Sequence, residues 1–446
     1  MSEVGPAFAV QGHSGVRTRN STVVIPSECR QMNILERYES VSQNYVRNSR
    51  VVFDRALASE LFDENGGRYI DFYAGGGTLS FGHNNAGVRD ALVRYLSNNR
   101  IVQSCDKTSV AKRDFVEEFV KTVLAPRGLN YRILFTDPAS GTAAELALRL
   151  ARPFKNRTNV IAFTNASHGL TEGSLSVVSK HLMRHQSIAL RANTIFMPYC
   201  GYFGDDTDTV AYLRRYLADS ASGLELPAAV IVETIQVHGG VHIATAEWLK
   251  ALEQLCREFE ILLIVDETHT GCGRVGSYFS FESAGINPDM VVVPNAIGGG
   301  LPMSVLLLRP ELDFWRPGEQ VGSFQGDSLA FVAATELLSQ WKGVHAQDVE
   351  RHSALLGQEL SGFAARFPKR TVAVRGKGMI WGMDFGRPGS AAVVSAWALE
   401  RGVVVEQARL RDEVLLVQPP VTIQESILRE GLKCLGQVVS TFLSHE

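Results

Sequence analysis

The chain is 446 residues long with a net charge of −3, and 45% of its residues are hydrophobic, 9% aromatic and 20% charged. These are ordinary values for a globular protein with one large domain and a smaller appendage, or with two domains. No basic excess exists to neutralise phosphates, which argues against a nucleic-acid partner. No apolar run approaches the ~18 residues that a membrane-spanning helix requires, and the N-terminus lacks the apolar core of a signal peptide, so a cytoplasmic protein is expected. Six cysteines (Cys29, Cys105, Cys200, Cys256, Cys272, Cys434) are scattered without CxxC spacing. That pattern fits reduced thiols better than disulfides or a zinc site.

Residues 1–32 are polar and rich in Gly, Ser and Arg, and read as a flexible N-terminal arm. From Arg50 to Gly77 the pattern predicts short strands around a turn at Glu64–Gly67, within an N-terminal segment (33–75) of a small domain. Helical patterns follow over Ala86–Asn98 and Ser109–Leu124. Strand-length apolar runs then occur at Tyr131–Thr136, Asn159–Thr164, Ala229–Ile235, Ile261–Val265, Met290–Val293 and Ser304–Leu308. They are rich in Val, Ile and Leu without period-two alternation, as expected for strands covered on both faces. Amphipathic helices lie between several of them, for example Gly141–Arg152 and Ala246–Phe259. This alternation predicts an α/β fold, a doubly wound, mostly parallel sheet filling a large domain over 76–325. After a connecting helix at Ser328–Trp341 come a further helix, strands across Val372–Phe385, and a closing helix at Gln424–Leu443. Residues 326–446 therefore read as a smaller α+β C-terminal domain.

Two segments carry the most chemistry. In ILLIVDETHTGCGRVG (Ile261 to Gly276) a buried strand ends at Asp266–Glu267, and a carboxylate at the C-terminal tip of a strand suits a bound pyridinium N–H. In VVVPNAIGGGLP (Val291 to Pro302) Asn295 sits between a strand and a triple-glycine turn. The run Pro138–Ala139–Ser140–Gly141–Thr142–Ala143 joins a strand to a helix; it reads either as a phosphate cup at a helix N-terminus or as an ordinary N-cap. His168, in Asn165–Gly169, taken alone reads as a satisfied structural histidine.

Together with Glu233–Gly240 and Gly322–Phe324, these segments resemble class III (fold type I) pyridoxal-phosphate aminotransferases, over roughly Leu35 to Leu435. Several stretches look more like diaminobutyrate–2-oxoglutarate aminotransferases than like ornithine or 4-aminobutyrate enzymes: Leu35–Ser40, Phe81–Asn85, Gly300–Ser304, Leu329–Val332 and Arg375–Met379. The resemblance implies a homodimer with the active site at the subunit interface, a small amino acid or keto acid as substrate, and pyridoxal phosphate or pyridoxamine phosphate as cofactor. By the same resemblance, Ser140, Gly141 and Thr142 correspond to the phosphate loop, with the Ser-Gly pair shifted or one residue missing. Asp266 corresponds to the pyridinium partner. Ser323 keeps the hydroxyl of a residue that reaches the phosphate across the dimer interface. Four positions depart from the family. Ser167 stands where an aromatic ring stacks on the cofactor, His238 replaces the second acid of E-P-x-Q-x-E-G-G, and His269 stands where a residue contacts the phenolic oxygen. Asn295 stands where a lysine forms the Schiff base.

An amide can neither form an imine nor shuttle the proton. Three readings are open: a lysine substitution in an otherwise active enzyme, rescue by another lysine, or a natural homologue that has given up ordinary transamination. Of the ten lysines none lies between Ala251 and Trp341, which leaves Lys107 and Lys377 as rescuers only if folding delivers them. The third reading divides into a non-catalytic dimeric partner or scaffold and a repurposed pocket. In the repurposed pocket the cofactor is held without a covalent bond and His269 moves the proton, or Asp266, His238 and His269 surround a substrate or a metal. Both histidines can equally be space-filling hydrogen-bonding groups.

Overall fold

A computed structural model describes residues 38–40, 51–104, 107–139, 141–180, 183, 193–341, 346–370 and 372–445. The N-terminal arm and Ser140 lie outside the described residues. From Val51 onward the chain packs as one unit.

Three short strands come first: β1 (Phe53–Leu57), β2 (Glu60–Asp63) and β3 (Arg68–Asp71). The turn between β2 and β3 closes on Asp63, whose Oδ1 accepts from the backbone N–H of Asn65 (2.9 Å) and Gly67 (2.7 Å). This Asx-type link falls at the turn expected over Glu64–Gly67. The large sheet is then built from β4 (Arg132–Thr136), β5 (Val160–Phe163), β6 (Thr194–Met197), β7 (Ala229–Glu233), β10 (Leu262–Asp266), β11 (Met290–Val292) and β12 (Ser304–Leu308), in the order β4-β12-β11-β10-β7-β5-β6. A hairpin of β8 (Ile235–Gln236) and β9 (His242–Ile243) follows β7. Neighbouring strands from β6 to β11 pair in parallel, while β12 runs antiparallel to both β11 and β4.

The uninterrupted apolar runs have a direct cause. Along β7, Ala229 and Ile231 face one buried layer while Val230 and Val232 face the other; along β10, Leu262 and Ile264 alternate in the same way with Leu263 and Val265. A strand whose two faces are both buried has no polar positions to alternate with. The predicted strand Ala229–Ile235 breaks at Thr234, whose carbonyl accepts from Ala244 N and from the Tyr199 hydroxyl (both 3.0 Å), turning the chain out of the large sheet into the hairpin. The edge strand β6 has no counterpart among the predicted strands.

Side-chain caps set several helix starts: Asn85 before Ala86–Ser97, Ser109 before Val110–Phe119 and Thr245 before Ala246–Glu258 each accept from a first-turn N–H. The second of these passes into a π turn over Val120–Leu124 instead of continuing as α-helix. The C-terminal part holds the antiparallel sheet β13 (Ala373–Lys377), β14 (Ile380–Asp384), β17 (Val414–Val417) and β16 (Glu406–Gln407), with the 21-residue helix Glu425–His445 last. Strand β15 (Val403–Val404) pairs in parallel with β3, tying the first strands to the last part of the chain. Among the described residues no helix is long and apolar enough to cross a membrane.

Candidate active site

In parallel strands of equal length, the residues at the C-terminal edge are brought side by side by register alone. Asp266, the last residue of β10, is level with Glu233 of β7 and Val292 of β11. Three residues beyond Val292, Asn295 opens a 3-10 turn, Asn295–Gly298. The loop after β5 reaches over the same edge: Ser167 N donates to Glu233 Oε2 (3.0 Å), and His168 Nδ1 lies 2.8 Å from Asp266 Oδ2. The carboxyl ends of the strands in a doubly wound sheet are where such a fold collects its site.

Asp266 is buried and carries three partners. Oδ2 meets His168, while Oδ1 accepts from both Thr268 N (2.9 Å) and Thr268 Oγ1 (2.5 Å). Burial pushes its pKa up, and the hydrogen bond and charge of His168 with the two Thr268 donors more than offset this, leaving the carboxyl below its ordinary value and ionised. His168 is balanced in the opposite sense: burial pushes it down, and the hydrogen bond and charge of Asp266 leave it raised. Glu233 is pushed up to about 8, chiefly by burial, and so is held protonated at neutral pH. Glu267, next in sequence, turns away: Ser280 Oγ and Phe281 N donate to its Oε1 and Thr270 Oγ1 donates to its Oε2, making it a structural acid.

The two histidines at departing positions meet. The rings of His238 and His269 pack edge to face with centroids 4.6 Å apart. Arg409 N approaches His238 Nδ1 at 3.4 Å, and the His238 carbonyl accepts from Leu410 N. The backbone of Gly76 lies beside His269 and acts to raise its pKa. Burial, then the neighbouring His269 and Arg409, hold His238 well below its ordinary pKa. His269 is pushed down to about 4, mainly by burial, with Arg409 and Arg274 acting against the Asp266 charge. Both imidazoles are therefore neutral at pH 7. Among the described residues no group of three or more His, Cys, Asp or Glu side chains is arranged to hold a metal ion.

The phosphate-loop residues are less open. Gly141 takes φ +95° at the start of helix Thr142–Lys155, and a Cβ there would lie 2.3 Å from Ser174 Oγ and 2.8 Å from Gly169 Cα, so glycine is required. Thr142 Oγ1 is turned back onto the Asp137 and Ala139 carbonyls. Ser323 is exposed, and its carbonyl accepts from Gln103 Nε2 (2.8 Å); among the described residues its hydroxyl has no hydrogen bond and no bond joins it to the Asp266 cluster. Asn295 is half-buried, with no side-chain hydrogen bond among the described residues. Lys377 Nζ donates to Ser283 Oγ (3.1 Å). Sequence reasoning missed Thr268; its place two residues after a strand-end aspartate, where a hydroxyl folds back onto that carboxylate, is the signal that could have found it.

A carboxylate accepts about four hydrogen bonds. Asp266 therefore keeps one acceptor position for a pyridinium N–H, and its ionised state suits that donor. The donor set fits a cofactor of the pyridoxal phosphate class anchored at Asp266; it does not fit covalent attachment at Asn295.

Residues 41–439 match the family described as Aminotransferase class-III. The chain is 46% identical over 413 residues to a diaminobutyrate–2-oxoglutarate transaminase of Wolinella succinogenes, covering 92% of this chain and 97% of the relative. It is 44% identical over 419 residues to the protein of that name from Bordetella parapertussis, covering 93% and 96%. In fold it is similar to the ornithine aminotransferase of Toxoplasma gondii ME49, with TM-score 0.78 at 23% identity over 93% of this chain and all of that one. It is similar also to a transaminase from the marine bacterium Virgibacillus, with TM-score 0.80 at 18% identity over 92% and 96%. A family match spanning nearly the whole chain, close similarity to diaminobutyrate transaminases and a strand-edge site centred on Asp266 agree: this chain belongs to the class III aminotransferases.

Proposed function

We propose that this protein holds pyridoxal phosphate or pyridoxamine phosphate without a covalent bond, in a pocket that accepts a small amino acid or keto acid, and does not carry out lysine-dependent amino-group transfer. The observation that carries the reading is Asn295, at the edge where Asp266 and Glu233 are level, with no lysine in the 251–341 stretch around it. Lys377, one of the two conceivable rescuers, is engaged by Ser283.

When bound, such a cofactor supplies an electron sink for an amino acid's α-carbon. The chain's own residues do the rest. Asp266 holds the ring through its remaining lone pair, and His168 keeps Asp266 ionised. Glu233, protonated, adds no second negative charge beside it. His269 lies beside the Gly76 backbone; at a pKa near 4 it orients a proton better than it removes one. His238 packs edge to face against it.

Val321 and Phe324, which flank Ser323, are 60% and 62% exposed, large apolar surface that supports a second copy of the chain meeting this face. A second reading, a dimeric partner that has given up the cofactor, is favoured by the inward turn of the Thr142 hydroxyl. The test is a soak with pyridoxamine phosphate followed by dialysis, beside a pyridoxal phosphate soak followed by borohydride and peptide mass analysis. Retention with no reduced lysine peptide supports the proposal. A reduced lysine adduct overturns the non-covalent assignment, and loss of both compounds on dialysis establishes the second reading.

A further inference from the structure

A cavity of about 100 Å³ lies where the β8–β9 hairpin, helix Ala246–Glu258, the 3-10 turn Ser280–Ala284 and strand β13 meet, and none of its lining residues belongs to the Asp266 cluster. Its inner wall is apolar and buried: Ile235, Ala244, Leu249 and Ala284 are each at most 9% exposed. Thr234 and Ser280 lie as deep, and their hydroxyls bond to each other, with Ser280 Oγ donating on to Glu267 Oε1 (2.7 Å). Those two hydroxyls therefore need no polar partner in the cavity.

At the mouth the character changes. Lys377 is half-buried, Ser283 is exposed, and of the lining residues Lys377 alone is charged. Ser283 Oγ accepts from Lys377 Nζ (3.1 Å) and donates to the Ser280 carbonyl (2.9 Å), which fixes the ammonium at the rim. An ammonium carries three donors, so two remain, and among the described residues no carboxylate pairs with it. Helix Ala246–Glu258 begins in the same wall, and its N-terminal end adds partial positive charge on this side. An apolar bottom under a single unneutralised cation is complementary to one chemical class, a monoanion with a short apolar tail. At about 30 Å³ per water-sized group the space holds roughly three such groups, which matches the tail carbons of butyrate.

We propose that this cavity binds a short-chain aliphatic monocarboxylate, with the tail against Ile235, Ala244, Leu249 and Ala284 and the carboxylate on Lys377 Nζ. The inference stands apart from the cofactor reading and uses none of the residues that would hold the cofactor. An occupant joins strand β13 of the C-terminal sheet to the Ser280–Ala284 turn, whose Ser280 and Phe281 donors hold Glu267 next to Asp266. Filling the cavity therefore braces the edge of the candidate active site from behind, which makes it a place for an effector and not for a reacting substrate.

The test is calorimetric titration of the full-length protein with acetate, propionate, butyrate and hexanoate, with sodium chloride as the inorganic control. Each methylene that enters the apolar bottom strengthens binding about fourfold, so butyrate is expected to bind roughly 15-fold tighter than acetate. Hexanoate, too long for the space, should bind more weakly than butyrate. Lys377→Met keeps the stem and removes the charge; it should weaken butyrate binding by about tenfold or more and leave the Tm of the ligand-free protein unchanged. Lys377→Arg should restore much of the affinity, and a butyrate-soaked crystal should show the carboxylate within hydrogen-bond reach of Nζ. Equal affinity in the wild type and Lys377→Met puts the carboxylate elsewhere, as in the amino-acid-type pocket, and overturns the site. A series without a chain-length optimum, or a heat response matched by chloride, overturns it as a general charge effect. If Lys377→Met fails to fold, the wild-type series and the soaked crystal decide alone: butyrate at Nζ keeps the site and its absence removes it.

Discussion

His168 Nδ1 sits 2.8 Å from Asp266 Oδ2 with both side chains sealed from solvent, so the carboxylate at the tip of β10 is ionised by an internal partner and not by water. Removing that partner leaves a buried charge held by Thr268 alone. His168→Leu is expected to destabilise the protein by about 3–5 kcal/mol in urea unfolding, with His168→Asn, which keeps a donor, losing less. The raised His168 pKa contributes stability that is complete below its ordinary 6.5 and fades as pH rises through the folded value. The lowered Asp266 pKa contributes stability that is complete above 3.8 and fades as pH falls through its folded value. Both are whole between those limits, and His168→Leu should lose the alkaline fall that this pair causes.

Glu233 acts in the opposite direction. Its carboxyl keeps a proton in the folded state up to about 8, against an ordinary value of 4.5. Between those values the folded chain binds more protons than the unfolded one, so stability falls as pH rises through the window. Glu233→Gln should flatten that slope and gain on the order of 3 kcal/mol at pH 8 relative to pH 5. A Tm–pH profile unchanged by the substitution would show that Glu233 is ionised beside Asp266.

The large sheet was legible because its strands are buried on both faces: Leu262–Asp266 shows an unbroken apolar run ending in an acid, and both its position and its role as the site's edge follow. Parallel register sets Asp266 level with Glu233, and the loop after β5 brings His168 onto Asp266, a meeting that no strand pattern records. What stayed hidden depends on loop geometry. Thr268 folds onto Asp266 through a turn, and Arg274 meets Gln418 across 144 positions. No periodicity in either segment records those meetings. Ser323 lies apart from Asp266, exposed, with its carbonyl engaged by Gln103.

Restoring the lysine tests how far the other departures matter. Asn295→Lys is expected to give a borohydride-reducible lysine product with pyridoxal phosphate, while amino transfer from diaminobutyrate to 2-oxoglutarate stays poor. Adding Ser167→Tyr supplies a ring worth about 0.5–1.5 kcal/mol of stacking, so the double variant should retain the cofactor roughly 2- to 10-fold better. The Ser167 bond to Glu233 is made by its backbone N–H and survives the change. Activity of Asn295→Lys alone equal to that of a diaminobutyrate transaminase would show that Ser167, His238 and His269 are neutral departures.

Thr268 places two donors on the one Asp266 oxygen that His168 leaves open. Thr268→Val keeps the side-chain shape and the backbone bond and removes only the hydroxyl, returning one lone pair to Oδ1. Loss of a single buried hydrogen bond should lower stability by about 1 kcal/mol. If a pyridinium N–H takes the freed position, pyridoxamine phosphate binds roughly fivefold tighter in a fluorescence titration. The two effects have opposite signs, which sets the variant apart from general loosening of the site. Weaker binding in step with lower stability would mean that the hydroxyl supports the cofactor by orienting Asp266, whose open acceptor on Oδ2 beside His168 then takes the pyridinium.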